Sequence, residues 1–269
     1  MTYTNGLNTC NSLTLLCHLS GWALVEYILF CLVIWWISYL LLFVFSRQSE
    51  EWTCRILTLF HGSIVSYSAI RDITACWNET SFQDTPLSDI QKGYLSFMLS
   101  YFLFDIAWMQ LYGNETWVMS AHHISAILIT TKVFLSDFGG LGVSFSVACL
   151  ELTNPFLQMR WFLRTHGYQS RPIFTVVETI FFCLFFIIRV FGGSIFYYYV
   201  IFHAHVDFIM KILATCIYLV SLGLVYDCYK YVRRKYFSNG RHVSFVPVDM
   251  WRSRVETVRV ETSESPEEE

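Results

Sequence analysis

Seven long apolar segments constrain this chain more than any other feature of its sequence. A helix needs about 20 mostly apolar residues to cross a bilayer, and segments of suitable length lie at 22–45, 55–76, 93–112, 116–136, 139–163, 173–201 and 208–232. Only 14% of the 269 residues are charged, whereas soluble domains contain about 25%. The sequence therefore predicts an all-α, multi-pass membrane protein with about seven transmembrane helices. It excludes a soluble enzyme, a secreted disulfide scaffold and a nucleic-acid-binding protein.

The ends of the chain and its prolines add detail to this topology. Residues 1–21 form a polar leader, and the helix at 22–45 is too long and too aromatic for a cleavable signal peptide, so we expect a signal anchor. Pro155 lies inside the predicted fifth helix and should kink it, because proline removes a backbone hydrogen bond. Residues 236–269 end in an acidic stretch and are predicted to form a cytosolic, largely disordered tail.

Lysine and arginine are distributed unevenly between the two ends of the predicted helices. Cytoplasmic loops of membrane proteins carry an excess of these residues. With the N-terminus outside, the inner side carries Arg47, Arg55, Arg160, Arg164, Arg171, Lys230, Arg233, Arg234 and Lys235, and the outer side carries Arg71, Lys92, Lys132 and Lys211. The bias predicts a lumenal or extracellular N-terminus and a cytosolic C-terminus, in the endoplasmic reticulum or the plasma membrane.

Two glycosylation sequons bear on the same topology. Asn78 begins the sequence Asn-Glu-Thr in the longest predicted loop, which the lysine and arginine bias places outside. Asn114 begins a second sequon in a very short inner loop. We therefore expect a glycan on Asn78 and none on Asn114.

Ionisable side chains inside the predicted helices require a physical reason. A charged side chain at the bilayer centre costs about 2.5–3.5 kcal/mol on insertion scales. With a helical rise of about 1.5 Å per residue, five predicted helices place polar side chains within about 6 Å of the midplane, namely His61, Asp105, His122, Glu151 and Arg189. Asn154 shares a helix face with Glu151. Such a layer predicts an internal cavity, although each histidine taken alone fits a structural role.

The sequence does not decide which group pairs with Arg189. Glu151 lies close to the same depth, and Glu178 lies on the same helix face three turns away, so either carboxylate is expected to approach Arg189. A buried structural salt bridge and a ligand-facing role explain such a pair equally well.

Five short runs of the sequence lie at 51–55 with His61, at 101–105, at 121–123, at 151–155 and at 158–164. In composition and order these runs resemble the TLC domain family of membrane proteins, which includes the ceramide synthases. The resemblance implies six helices, within residues 51–232, that form a barrel around a lipid-sized tunnel, with one additional helix before them. It also implies that His122 and His123 face the tunnel.

Two functions are compatible with these residues. In the first, the protein takes part in lipid homeostasis: it binds a lipid in the tunnel, beside a polar layer of His61, Glu151, Asn154 and Arg189, and senses or adjusts membrane composition. In the second, it is an acyl-CoA-dependent N-acyltransferase of ceramide-synthase type. Its candidate catalytic residues are then His122, His123 and Asp105, and Arg160, Arg164 and Arg171 are candidates for binding the phosphates of acyl-CoA.

One difference from the ceramide synthases separates these two functions. The His-Asp pair that follows the paired histidines in ceramide synthases has no counterpart near Glu151, which favours the first. We expect membrane lipids as partners, no cofactor other than acyl-CoA as a co-substrate of the second function, no metal and no nucleic acid. A homodimer is left open. A seven-helix receptor is disfavoured, because the third helix ends in Met-Gln-Leu-Tyr at 109–112 without the Asp-Arg-Tyr motif.

Overall fold

The computed structural model describes residues 21–75, 86–112, 117–137 and 140–237. Asn78, Asn114, the leader up to residue 20 and the tail from residue 238 lie outside these ranges. The helices are α1 (Gly21–Ser46), α2 (Glu50–Ala75), α3 (Asp89–Tyr112), α4 (Trp117–Ser136), α5 (Gly140–Glu151), α6 (Asn154–Thr165), α7 (Pro172–Phe186), α8 (Gly193–Phe202) and α9 (Phe208–Phe237). A 3₁₀ turn at Tyr168–Ser170 precedes α7, and a π-helical segment at Ile187–Gly192 joins α7 to α8. This architecture confirms the all-α fold.

Six helical rods in the described ranges are long and apolar enough to cross a membrane: Gly21–Ser46, Asp89–Tyr112, Trp117–Ser136, Gly140–Thr165, Pro172–Phe202 and Phe208–Phe237. The remaining predicted span, α2, is 26 residues long but much less apolar. Its polar side chains include Thr53, His61, Ser66 and Asp72, all of which are buried in the protein. The composition of α2 therefore reflects a polar interior, and the multi-pass prediction is confirmed.

Six rods form a closed ring. α2 packs on α3, α3 on α4, and α4 on α9. α9 contacts the continuous rod of α7, the π-helical segment and α8, and that rod packs against α5 and α6, which return to α2. α1 lies outside the ring on α2 and α3, where the Trp35 indole donates to Ser100 Oγ over 3.2 Å. The arrangement is the expected six-helix barrel with one additional N-terminal helix.

The rod at Gly140–Thr165 is interrupted at the position expected from Pro155. α5 ends at Glu151, and α6 begins at Asn154 with proline in its first turn. Proline has no N–H to continue the helical hydrogen-bond ladder, and its ring clashes with the preceding turn. The last carbonyls of α5 consequently need other partners in the middle of the membrane.

Candidate functional site

A polar cavity of about 110 Å³ lies inside the barrel, towards the predicted inner end. We call it the polar chamber. Its walls carry three carboxylates, two guanidinium groups and both adjacent histidines: Glu51, Asp105, Glu151, Arg55, Arg189, His122 and His123. Asn154 also lines it. Four of the five residues that define the predicted polar layer, all except His61, thus line one chamber.

Asp105 connects two side chains on different helices within this chamber. The Cys54 thiol on α2 donates to Asp105 Oδ1 over 3.5 Å, and the other carboxylate oxygen lies 3.3 Å from His123 Nε2 on α4. The His122 ring stands nearly perpendicular to that of His123, with 5.6 Å between the centroids. Adjacent residues on a helix diverge by about 100°, and both rings reach the chamber because it lies between several helices.

His61 lies behind the wall of the polar chamber. Its side chain is fully buried and stacks on Tyr101 with 3.9 Å between the ring centroids. Its Nδ1 atom lies 3.9 Å from Glu151 Oε2, and neither ring nitrogen has a hydrogen-bond partner among the described residues. His61 therefore belongs to the polar layer without lining the chamber.

A chain of hydrogen bonds runs from the middle of the barrel to its predicted inner end. Asn154 Nδ2 donates to Glu151 Oε2 over 3.3 Å, and Gln158 Nε2 donates to Asn154 Oδ1 over 3.0 Å. Arg55 then donates from Nη1 to Gln158 Oε1 over 3.2 Å and from Nε to Glu51 Oε1 over 3.0 Å. Side chains on α2 and α6 thus form a polar path into the chamber.

A second, larger cavity of about 640 Å³ extends towards the predicted outer end. We call it the apolar chamber. Its walls are mostly aliphatic and aromatic and include Leu95, Met98, Val147, Val200, Met210 and Ile217. Phe102, Leu150 and Glu151 line both chambers. The two cavities are therefore adjacent, one mostly apolar and the other polar, with these three residues between them.

Residues 17–231 match the TLC domain family. The chain belongs to the TLC domain family. The match includes α1, which the sequence analysis placed before the domain. TLC domain-containing protein 4 A of Dictyostelium discoideum is 24% identical to the chain over 155 residues, which are 52% of the chain and 59% of that relative. TLC domain proteins are membrane proteins linked to lipid metabolism.

Arg189 of this TLC domain lines the polar chamber together with Glu151 but forms no direct salt bridge with Glu151 or Glu178. It donates from Nη2 to the carbonyl of Leu150 over 2.7 Å and from Nη1 to Ser221 Oγ over 3.3 Å. Of the two roles left open for Arg189, the direct salt bridge is not formed, because the break between α5 and α6 supplies a main-chain acceptor that helical spacing alone does not reveal. The π-helical turn around Arg189 is a type of distortion frequent at functional sites.

Glu178 binds a different set of cations in the TLC domain. Arg160 Nε donates to Glu178 Oε1 over 2.9 Å, and Lys235 contacts the other oxygen. The hydroxyls of Tyr231 and Tyr236 donate to the same carboxylate over 3.0 and 2.7 Å. This cluster, which we call the Glu178 cluster, joins α6, α7 and α9 at the predicted inner end.

The Glu178 cluster corrects one sequence-based assignment. Arg160 was expected near the inner end of the predicted fifth helix, as a candidate for binding the phosphates of acyl-CoA. It lies within α6, is 4% exposed, and is instead occupied by Glu178 and by the ring of Tyr231, whose centroid lies 4.7 Å from the guanidinium carbon. Arg164 lies in the last turn of α6 and Arg171 immediately before α7.

A buried polar network at the other end of the TLC domain was missed from the sequence. Gln91 Nε2 donates to Asp72 Oδ2 over 2.7 Å, and the Ser144 hydroxyl donates to the same oxygen. Tyr94 and Ser144 are joined by a further hydrogen bond of 2.7 Å. One signal was present, since Asp72 follows His61 by eleven residues and therefore lies on the same face of α2.

An ion pair lies at the outer rim of the apolar chamber. Lys132 at the end of α4 is 2.6 Å from Asp207, which precedes α9, and Asp207 also accepts a hydrogen bond from the Met210 N–H over 2.8 Å. The Lys132 ammonium and this N–H hold the pKa of the Asp207 carboxyl below its usual value.

Across the described ranges, no group of three or more histidine, cysteine, aspartate or glutamate side chains is arranged to hold a metal ion.

Proposed function

We propose that this protein binds a single membrane lipid along the two chambers and senses or adjusts membrane lipid composition. A hydrocarbon chain lies in the apolar chamber, and the polar headgroup lies in the polar chamber. The observation that carries this proposal is the common wall of Phe102, Leu150 and Glu151 between the two cavities. An amphipathic ligand matches this change from apolar to polar lining.

Selectivity of such a site arises mainly at its polar end. A lipid chain that moves from the bilayer into the apolar chamber exchanges one hydrocarbon environment for another, so chain burial contributes little net affinity. Headgroup contacts differ, because a buried polar group without a partner costs about 1–3 kcal/mol. Glu151, Asn154 and Arg189 are the groups that we assign to headgroup recognition, and His61 Nδ1 lies 3.9 Å from Glu151 on the side away from the chamber.

The subfamily and orientation belong to the same proposal. The run at 151–164 resembles TLC domain-containing protein 5, also called transmembrane protein 136, and we place the chain near that subfamily. We further propose that the N-terminus is lumenal or extracellular and the C-terminus cytosolic, in the endoplasmic reticulum or the plasma membrane.

Filling the apolar chamber tests lipid binding directly. Ser146 lines this chamber, and Ser146→Phe should reduce the lipid that copurifies with the protein, as measured by native mass spectrometry and lipid profiling. Leu128→Phe is the matched control, because Leu128 is on a membrane-spanning helix and 50% exposed. Equal lipid occupancy in both folded variants and the wild type would refute the proposal.

A second function, acyl-CoA-dependent N-acyl transfer, is favoured by the relationship between His123 and Asp105. The 3.3 Å approach of Asp105 Oδ2 to His123 Nε2 orients the imidazole beside the chamber, as expected for a general base. His122 lines the same space. The phosphates of acyl-CoA would be bound near Arg164 and Arg171 at the predicted inner end.

The acyltransferase is tested with purified protein, labelled acyl-CoA and a panel of amine and lysophospholipid acceptors. General-base catalysis contributes about 10²–10⁴-fold, so His123→Ala should remove the product at unchanged expression. His166→Ala is the control, since His166 is exposed and follows α6. A product that forms equally in His123→Ala excludes this function.

A further inference from the structure

Cys54 lines the polar chamber, and neither function proposed above assigns it a role. Its side chain is 3% exposed and lines the chamber near the start of α2. The thiol donates to Asp105 Oδ1 over 3.5 Å, while Asp105 Oδ2 lies 3.3 Å from His123 Nε2. Asp105 therefore stands between a thiol and an imidazole, so that a proton leaving the sulfur has an acceptor in direct contact.

Unpaired histidine nitrogens in the same chamber point independently to a polar ligand. Nδ1 of His122 and Nδ1 of His123 have no hydrogen-bond partner among the described residues, although each side chain is 6% exposed. Buried polar atoms normally have a partner. The cavity of about 110 Å³ beside them has the volume of roughly four water molecules. A carbonyl group with its polar substituents fits this space.

We propose that Cys54 is an acyl-accepting nucleophile that takes a fatty acyl group from an acyl-CoA thioester. This inference rests on the acyl-transfer function proposed above. A bond forms between Cys54 Sγ and the acyl carbon, and the bond between that carbon and the sulfur of coenzyme A breaks. The proton passes from the thiol through Asp105 to the departing thiolate. One thioester is exchanged for another, so the step needs no oxidant or reductant.

The position of Cys54 distinguishes it from the other described cysteines. Cys31 and Cys228 are buried and Cys149 is half-buried, but none of them lines either chamber, whereas Cys183 and Cys216 are exposed on the outside of the barrel. An acyl chain attached to Cys54 begins in the polar chamber and passes Phe102 and Glu151 into the apolar chamber. The two cavities therefore accommodate both the reacting carbonyl and the chain.

The test incubates the purified full-length chain with isotope-labelled palmitoyl-CoA and locates acyl adducts by peptide mass spectrometry. We expect an adduct on Cys54 that neutral hydroxylamine releases, as it does other thioesters. Cys54→Ala should lose it, and Cys228→Ala, which changes a buried cysteine outside both chambers, should retain it. Asp105→Asn should slow its formation by about 10²-fold or more.

Three results would overturn the proposal. The first is labelling confined to the exposed Cys183 and Cys216, and the second is an unchanged rate of Cys54 labelling in Asp105→Asn. The third is a Cys54→Ser variant that forms the acylated product at the wild-type rate, because serine preserves the hydrogen bond to Asp105 and removes the thiol. Copurifying lipid and acceptor product are measured on the same samples. If the wild-type protein forms no adduct on Cys54 while lipid copurifies and acceptor product forms, this inference is rejected without rejecting lipid binding or acyl transfer.

Discussion

Arg189 holds the end of a broken helix through the main chain of Leu150. Its Nη2 atom donates to the Leu150 carbonyl over 2.7 Å, one residue before α5 ends at Glu151. The last four carbonyls of a helix have no intrahelical partner and carry partial negative charge. Arg189 supplies both a donor and a positive charge at this point, and the Phe185 ring lies 5.3 Å from the guanidinium carbon. A mid-membrane arginine is thus stabilised without a directly contacting carboxylate.

Replacing Arg189 with methionine should destabilise the protein. The Leu150 carbonyl is left without this donor in the protein interior, and such a loss costs about 1–3 kcal/mol. We expect a lower free energy of unfolding in detergent, measured by thermal or denaturant unfolding. Arg171→Met provides the control, because Arg171 is exposed at the start of α7. Identical unfolding curves for Arg189→Met and wild type would contradict the capping role.

Substitution in the Glu178 cluster should lower the stability of the protein more than substitution of Arg189. Glu178→Gln leaves Arg160 and Lys235 without their buried anion, and removal of one partner from a buried ion pair costs about 3–5 kcal/mol. The comparison is Lys230→Met, which removes an exposed pair with Asp227 and should cost at most about 1 kcal/mol. Unfolding of both purified variants measures the difference. Equal losses would show that the cluster contributes no more than a surface pair.

The proposed topology, with a lumenal or extracellular N-terminus, predicts a glycan on Asn78. Endoglycosidase treatment should increase the electrophoretic mobility of protein expressed in mammalian cells, and Asn78→Gln should abolish that shift. Asn114→Gln should leave it unchanged, because the predicted loop at Asn114 faces the cytosol. A glycan on Asn114 would reverse the proposed orientation.

The ion pair between Lys132 and Asp207 predicts that the stability of the folded protein depends on pH. Folding lowers the pKa of Asp207 through Lys132 and the Met210 N–H, so the carboxylate stabilises the folded state above the unfolded pKa of about 3.9. This contribution is lost as pH falls through the lower, folded-state pKa. Asp207→Asn should therefore lower stability at neutral pH by up to about 1 kcal/mol, since the pair is partly exposed. The difference from wild type should shrink on acidification below about pH 4, and a constant difference would contradict this assignment.

Residues near the break between α5 and α6 show which features of the site can be predicted from the sequence. Pro155 predicts the interruption between α5 and α6 because the loss of a backbone donor is a local property. The depths of Asp105, His122 and Glu151 follow from helical rise, and the structure brings them to one chamber. The same spacing left open a salt bridge of Arg189 with Glu151 or Glu178, which is not formed, and it did not reveal that Arg160 pairs with Glu178. Both contacts lie between different helices.

The sequence by itself determined that the chain is helical, that its helices are long enough to span a membrane, and at which position along its helix each polar side chain lies. These properties follow from hydrogen bonds within each helix and from the transfer of apolar side chains into lipid, which depend on local sequence. Only the tertiary structure decided that Arg189 meets Leu150, that Glu178 meets Arg160 and Lys235, and that Cys54 meets Asp105. Packing between helices determines which buried polar groups find partners, and residues distant in sequence compete for each of them.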